Sequence, residues 1–192
     1  FRHRMGNVQA LGGSMTLEYL ESQLNLNKKI VKRLTDLGIV PVLPTFAGFV
    51  PKEFERKFPG LRFLHNACWN NLNETNSCTS SLHPEEPEFK KIANVFIIKQ
   101  KAIYGDVTDV YSADPFNESP PKDLTDEDVS AMAESIFEGC VLGNSRCVWL
   151  LQSWTFAYDS WKKSSVKSFL TQVPRGRMLI LDLQAENRPL YK

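Results

Sequence analysis

The sequence lacks the features that mark membrane-spanning and nucleic-acid-binding proteins. No apolar run approaches the roughly 18 residues that a membrane span needs. Basic and acidic residues nearly balance, with 23 Lys and Arg against 22 Asp and Glu, and no strongly basic block occurs. Because a nucleic-acid footprint normally shows as clustered positive charge, the sequence predicts no nucleic-acid partner and no membrane span.

Signals for a cofactor or a metal ion are equally scarce. No glycine-rich phosphate-binding loop follows any predicted strand. The cysteines do not form the tightly spaced C-x-x-C pairs of a zinc site. The three histidines, His3, His65 and His83, have no ligand spacing. We therefore expect no cofactor and no metal site.

The four cysteines fit disulfide bonding better than metal binding. They allow three pairings, and the bond between Cys68 and Cys78, which would close a polar loop, is favoured. Within that loop Asn73-Glu74-Thr75 matches the acceptor pattern for N-glycosylation. A glycosylation pattern and a disulfide in one loop favour a lysosomal or secreted protein.

The length of 192 residues suits one domain with a real hydrophobic core. The chain begins at Phe1 without an initiator Met or a signal-peptide pattern, so we interpret residues 1–192 as a fragment of a single domain. The sequence indicates no oligomeric state.

Helical and strand patterns alternate along the chain. Apolar residues at helical spacing, with their caps and stops, predict helices over residues 17–34, 51–58, 84–103, 125–137 and 161–170. Short apolar runs predict strands over residues 39–46, 107–113, 147–154 and 178–183. The polar stretch 61–82, which holds two of the cysteines, is expected to be a long loop.

Near-continuous apolar strands between amphipathic helices predict a parallel sheet covered on both faces. An open doubly wound sheet and a (β/α)₈ barrel are both compatible with this order. The barrel is favoured because polar and aromatic residues crowd the ends of the strands, where a barrel carries its active site. A complete barrel has eight strands in about 250 residues. The expected fold class is therefore α/β, a partial (β/α)₈ TIM barrel of about four strands with covering helices.

The stretch "SADPFNESPP", residues 112–121, provides the strongest candidate site. Glu118, between Phe116 and Pro120, is placed to have a raised pKa and to deliver a proton. Asn117 beside it can hydrogen-bond a substrate. The alternative is that these residue types are ordinary turn formers after a strand.

Aromatic residues and two further acids complete the candidate rim. Trp154 can stack on a sugar ring, although it can equally belong to the core, which is the favoured place for Trp149. Trp69, in the cysteine loop, can form a wall above the pocket. Asp182 and Glu186 are each a possible second carboxylate, or equally an ion-pair or capping residue.

Five segments carry a resemblance to a known family. They are "RMGN" at 4–7, "PVLPTFAGFVP" at 41–51, "YSADPFNE" at 111–118, "WLLQSW" at 149–154 and "VPRGRMLILDLQAE" at 173–186. In this order and spacing the sequence resembles the α-N-acetylglucosaminidases of glycoside hydrolase family 89, over nearly the whole chain.

The resemblance implies a catalytic (β/α)₈ barrel, of which this chain would supply strands 3–6. It also implies a retaining exo-glycosidase that removes terminal α-linked N-acetylglucosamine, in animals from heparan sulfate in the lysosome. By this resemblance Glu118 is the general acid/base, and Asn117 and Trp154 contact the sugar. Trp69 is carried over as a substrate-binding residue, and Asn73 lies where family members carry a glycosylation site.

Two features depart from the family pattern. No residue of this chain matches the family nucleophile, so the chain would carry one half of a catalytic pair. Arg2 stands where an aromatic residue is usual. The alternative is a catalytically inactive carbohydrate-binding homologue. The absence of a nucleophilic glutamate in the sequence beyond Lys192 would indicate this alternative.

Overall fold

A computed structural model describes residues 15–116, 118–158, 160–183 and 185–186. Its five α-helices are α1 (Leu17–Asp36), α2 (Lys52–Lys57), α3 (Pro87–Tyr104), α4 (Asp126–Gly143) and α5 (Lys163–Leu170). Its seven strands are β1 (Leu43–Pro44), β2 (Phe49–Val50), β3 (Phe63–His65), β4 (Ser80–Leu82), β5 (Val110–Ser112), β6 (Val148–Gln152) and β7 (Met178–Leu181). None of the helices in these ranges is long and apolar enough to cross a membrane.

Four strands form a parallel sheet in the order β1-β5-β6-β7. The predicted alternation of strands and helices is therefore confirmed, together with its parallel sheet. Each predicted strand is longer than the observed one. The run over residues 39–46 pairs with β5 only at Leu43 and Pro44, and the preceding Ile39, Val40 and Val42 are exposed.

The helices begin and end where local chemistry favours it. Thr16 caps α1, its side chain accepting a hydrogen bond from the Tyr19 N–H. Thr125 and Asp128 form a reciprocal capping box at the start of α4. Helix α3 begins at Pro87, one turn later than the predicted start near Pro84. Proline suits this first helical position because no intrahelical hydrogen bond is lost there.

The core lies between the parallel sheet and helices α3, α4 and α5. Its largest fully buried side chains include Trp149, Phe89, Phe116, Phe169 and Met132. The expected core position of Trp149 is confirmed, and its indole Nε1–H donates to the backbone oxygen of Ala113 at 2.8 Å. This bond links β6 to the end of β5.

The polar stretch 61–82 is more ordered than predicted. It contains β3 and β4, which join β2 in a small antiparallel sheet of order β2-β4-β3. Strand β4 is Ser-Ser-Leu and fully buried, so apolar periodicity does not reveal it. The Asn66 side chain donates to Ser81 Oγ in this strand and to Thr79 Oγ1 just before it, at 3.1 Å each, whereas the buried Ser80 hydroxyl has no hydrogen-bond partner.

Candidate active site

The C-terminal ends of the four parallel strands lie at one edge of the sheet. In α/β barrels this edge carries the active site. Here β5 leads into Asp114 and Glu118, and β6 leads into a 3₁₀ helix at Ser153–Ala157. The connection after β1 leads into the small antiparallel sheet and the cysteine loop.

A tight turn after β5 presents Glu118. Phe116 adopts a left-handed conformation with φ of 62°, which is unusual for a residue other than glycine. Its fully buried ring, 6.5 Å from that of Trp161, anchors the turn in the core. The Ser119 N–H donates to the Phe116 oxygen at 2.9 Å. The chain therefore reverses sharply, and Glu118 emerges half-buried at the rim.

The cysteine loop brings Trp69 to this carboxylate. Cys68 and Cys78 are joined by a disulfide, which closes the loop at its base. Within the loop the Trp69 N–H donates to Ser77 Oγ at 2.7 Å. The Trp69 indole Nε1–H donates a short hydrogen bond to Oε2 of Glu118. Two residues that are 49 positions apart in the sequence thus meet at the rim.

Trp154 lies at the same edge, but not at the end of a strand as predicted. Strand β6 ends at Gln152, and Trp154 is in the 3₁₀ helix that follows. Its ring packs edge-on against Tyr158, with centroids 5.6 Å apart. Burial first, and then the charge of Glu118, raise the pKa of Tyr158, which places this phenol within electrostatic reach of the carboxylate.

Asp114 has a different role from Glu118. Its carboxylate accepts hydrogen bonds from the Gln152 backbone N–H at 2.8 Å and from Gln152 Nε2 at 3.1 Å. Burial raises the pKa of Asp114, and these two hydrogen bonds oppose the shift. Asp114 therefore joins the ends of β5 and β6 and holds the two loops of the site together.

The remaining predicted site residues fall at different places. Asn117 lies outside the described residues. Asn73 is exposed, and its Oδ1 accepts from the Thr75 and Asn76 N–H groups at 3.1 Å each, in a local turn. Asp182 accepts a hydrogen bond from Ser153 Oγ at 3.4 Å. Glu186 follows it in a turn beyond β7.

The two histidines that the structure describes lie beside separate carboxylates. His65 lies 3.7 Å from Glu55, and His83 lies 3.6 Å from Asp128. His3 is outside the described residues. Within the described part of the chain, no three His, Cys, Asp or Glu side chains are grouped as metal ligands.

One residue near the site, Tyr158, and one disulfide away from it were missed from sequence. Tyr158 follows a 3₁₀ helix that interrupts an apolar run, and no local pattern marks it. The second disulfide, between Cys140 and Cys147, joins the end of α4 to the start of β6. This disulfide could have been predicted from the sequence, because pairing Cys68 with Cys78 leaves only Cys140 and Cys147. It lies at the edge of the sheet opposite Glu118.

Comparison with known proteins identifies the family. The family model of the alpha-N-acetylglucosaminidase TIM-barrel domain matches residues 2–192. Human alpha-N-acetylglucosaminidase is 35% identical over 191 residues, which cover 98% of this chain and 25% of the human protein.

Solved structures agree with this match. A family 89 glycoside hydrolase from Clostridium perfringens, carrying two Glu-to-Gln substitutions and in complex with its substrate GlcNAc-alpha-1,4-galactose, superposes with a TM-score of 0.79 at 26% identity. The match covers 95% of this chain and 20% of the bacterial one. A family 89 enzyme from the same organism with PUGNAc gives a TM-score of 0.78.

The chain thus spans a quarter of the human relative and a fifth of the bacterial one. Its parallel sheet and its helices match a part of the barrel in those proteins. The chain belongs to the α-N-acetylglucosaminidase family, as part of its (β/α)₈ TIM-barrel domain.

Proposed function

We propose that this chain provides the general acid/base of a retaining exo-glycosidase that removes terminal α-linked N-acetylglucosamine. The observation that carries the proposal is the setting of Glu118. Its carboxylate stands half-buried at the C-terminal edge of the sheet, accepts a hydrogen bond from Trp69 and lies near Tyr158. Residues 1–192 then form part of one catalytic barrel domain.

The proposed chemistry needs two carboxylates about 5–5.5 Å apart. Protonated Glu118 gives its proton to the leaving oxygen while the nucleophile attacks the anomeric carbon. Ionised Glu118 then takes a proton from the water that hydrolyses the glycosyl-enzyme. We assign the nucleophile to neither Asp182 nor Glu186. Asp182 accepts a hydrogen bond from Ser153, which fits a structural role.

We propose that the sugar pocket is formed by the part of the rim that carries Trp154 and Tyr158. We assign Trp154 to stacking on the sugar and Asn117 to hydrogen bonding with it. Trp154 is half-buried and braced edge-on by Tyr158, so its orientation is fixed before a sugar binds. An open groove of ≈ 660 Å³ runs between the cysteine loop and Pro121–Leu124, and it offers room for more of a glycan.

The substrate is inferred from the relatives. The bacterial family 89 enzyme holds a GlcNAc-alpha-1,4-linked disaccharide, and the human relative bears the name of the same activity. We propose terminal α-GlcNAc on heparan sulfate-type glycans as the substrate, and the lysosome as the location. Two disulfides and an exposed Asn73 in a glycosylation tripeptide support passage through an oxidising, glycosylating compartment.

The test is Glu118→Gln in the full-length protein, assayed with aryl α-GlcNAc glycosides of differing leaving groups. A general acid contributes roughly 10²–10⁴-fold to rate. We expect kcat/KM to fall by about that factor for a poor leaving group and to change little for a good one, because an acidic phenol leaves without a proton. The comparison uses kcat/KM, since it reports the glycosylation step alone.

Equal small losses for both leaving groups would remove Glu118 from the acid role. No turnover by the wild type, with retained binding of N-acetylglucosamine, would instead favour the inactive carbohydrate-binding homologue.

A further inference from the structure

We propose that Trp69 is a positioning residue for Glu118, held in place by the Cys68–Cys78 disulfide, and that it directs the acid proton to Oε1. The inference rests on the proposed role of Glu118 as general acid/base. It changes the expected role of Trp69. Instead of forming a wall of the sugar pocket, Trp69 donates a hydrogen bond that decides which oxygen of the Glu118 carboxyl group carries the proton.

The first support is the rigidity of the loop around Trp69. The disulfide joins Cys68 to Cys78 with their Cα atoms 4.0 Å apart. The Trp69 backbone N–H donates to the Ser77 hydroxyl, and Ser77 is fully buried. Next to the disulfide the Asn66 N–H donates to the Thr79 oxygen at 2.9 Å. The backbone that carries Trp69 is therefore fixed from both sides.

The second support is the way the loop docks on the Glu118 turn. The Ala67 N–H donates to the Pro120 oxygen at 3.4 Å, and the Trp69 indole donates to Glu118. Two contacts at neighbouring positions fix both the place and the orientation of the loop against this turn. Pro120 and Pro121 keep the receiving segment stiff.

The chemistry of the donor gives the bond its consequence. An indole N–H only donates, so it can never accept the proton of a carboxylic acid. A carboxylate oxygen that accepts an N–H hydrogen bond is the poorer place for a proton. With Oε2 engaged, Oε1 is left to carry the proton to the leaving oxygen and to take one back from water.

The test is Trp69→Phe in the full-length protein, which keeps an aromatic ring and removes the N–H. Without the donor at Oε2 the carboxyl proton is no longer directed to Oε1, so its delivery to the leaving oxygen should be impaired. For a poor leaving group kcat/KM should fall by about tenfold. A good leaving group should show little change.

The two disulfides supply a matched pair of variants. Both close short loops, so removing either should lower thermal stability to a similar extent. Cys68→Ala with Cys78→Ala should reproduce the selective loss of kcat/KM for the poor leaving group that Trp69→Phe shows. Cys140→Ala with Cys147→Ala should not, because that bond lies at the opposite edge of the sheet.

Two results would overturn the inference. One is an unchanged kcat/KM for the poor leaving group in Trp69→Phe. The other is an equal loss for good and poor leaving groups with a raised KM, which is the signature of a sugar-stacking wall. Either result, together with leaving-group dependence in Glu118→Gln, would reject the role of Trp69 and leave the acid role of Glu118 standing. If Glu118→Gln shows no leaving-group dependence, both proposals fall.

Discussion

At the scale of single residues, the segment after β5 places two carboxylates, Asp114 and Glu118, in different surroundings. Asp114 is half-buried and accepts two hydrogen bonds from Gln152, so it links two strand ends. Glu118 stands at the rim and accepts its hydrogen bond from an indole in another loop. The same short motif therefore supplies a carboxylate that links two strands and a carboxylate that we propose as the general acid/base, and the neighbours of each distinguish them.

The raised pKa of Asp114 makes a prediction about stability. In the folded protein burial disfavours its ionised form, so the folded state takes up a proton at higher pH than the unfolded chain. As pH falls from neutral toward the ordinary value of 3.8, the wild type should therefore gain stability relative to Asp114→Asn. Below that value the difference should level off. Urea unfolding of both proteins across this range measures it.

The asparagine variant is a suitable comparison because its side-chain oxygen can still accept from the Gln152 N–H. A stability difference that is constant with pH would contradict the buried setting of Asp114. A wild type that loses stability relative to Asp114→Asn as pH falls would contradict it as well.

Glu118 was predictable from sequence, whereas its partners were not. A carboxylate after a short apolar run at the end of a parallel strand is a local signal, and the family resemblance added a role. The Trp69 bond arises from the docking of a loop 49 positions away, and Tyr158 reaches the site through a 3₁₀ helix. Neither the Trp69 hydrogen bond nor the position of Tyr158 leaves a periodic pattern in the sequence, because tertiary packing alone creates them.

At the scale of elements, helices α3 and α4 pack closely because of a glycine. A Cβ atom on Gly139 would lie 2.4 Å from the Ala93 Cβ, far inside normal contact. We predict that Gly139→Ala lowers the free energy of unfolding by about 1–3 kcal/mol, the usual cost of overpacking, although alanine favours helix. Chemical denaturation measures the difference.

Gly60→Ala is the matched control, because a Cβ there would meet nothing within 4 Å. Its stability should stay within about 0.5 kcal/mol of the wild type. Equal stability of Gly139→Ala and the wild type would contradict the close approach of α3 and α4.

The elements themselves were predicted best where they are amphipathic. Helix α4 shows its cap, its acidic first turn and its apolar stripe in the sequence, and the structure has all three. The sheet β2-β4-β3 was missed because β4 buries two serines, which leave no apolar pattern in the sequence, and only the Ser81 hydroxyl is hydrogen-bonded by the Asn66 side chain. The 3₁₀ helix was missed because apolar residues continue through it.

At the scale of the whole molecule, the parallel sheet leaves apolar strands at its edges. Within the described residues β1 pairs only with β5, and β7 pairs only with β6. In β7, Leu179 and Leu181 are 50% and 41% exposed. An exposed apolar edge strand is a template for association. The sequence predicted the four parallel strands, and with them these open edges.

We therefore predict that the 192 residues expressed alone associate at micromolar concentration. Light scattering after size-exclusion chromatography should show species larger than a monomer. Leu179→Lys with Leu181→Lys should shift the population toward monomer, because charges on an edge strand oppose pairing. A stable monomer without these substitutions would contradict the exposed edge.

The central claim, that Glu118 is the general acid/base of a retaining glycosidase, is tested most directly by chemical rescue. Full-length Glu118→Ala is supplied with an aryl α-GlcNAc glycoside of good leaving group, and azide is added. Azide needs no base to attack the glycosyl-enzyme, so we predict faster turnover and an α-configured glycosyl azide. A β-configured azide would make Glu118 the nucleophile, and no azide product at all would contradict its catalytic role.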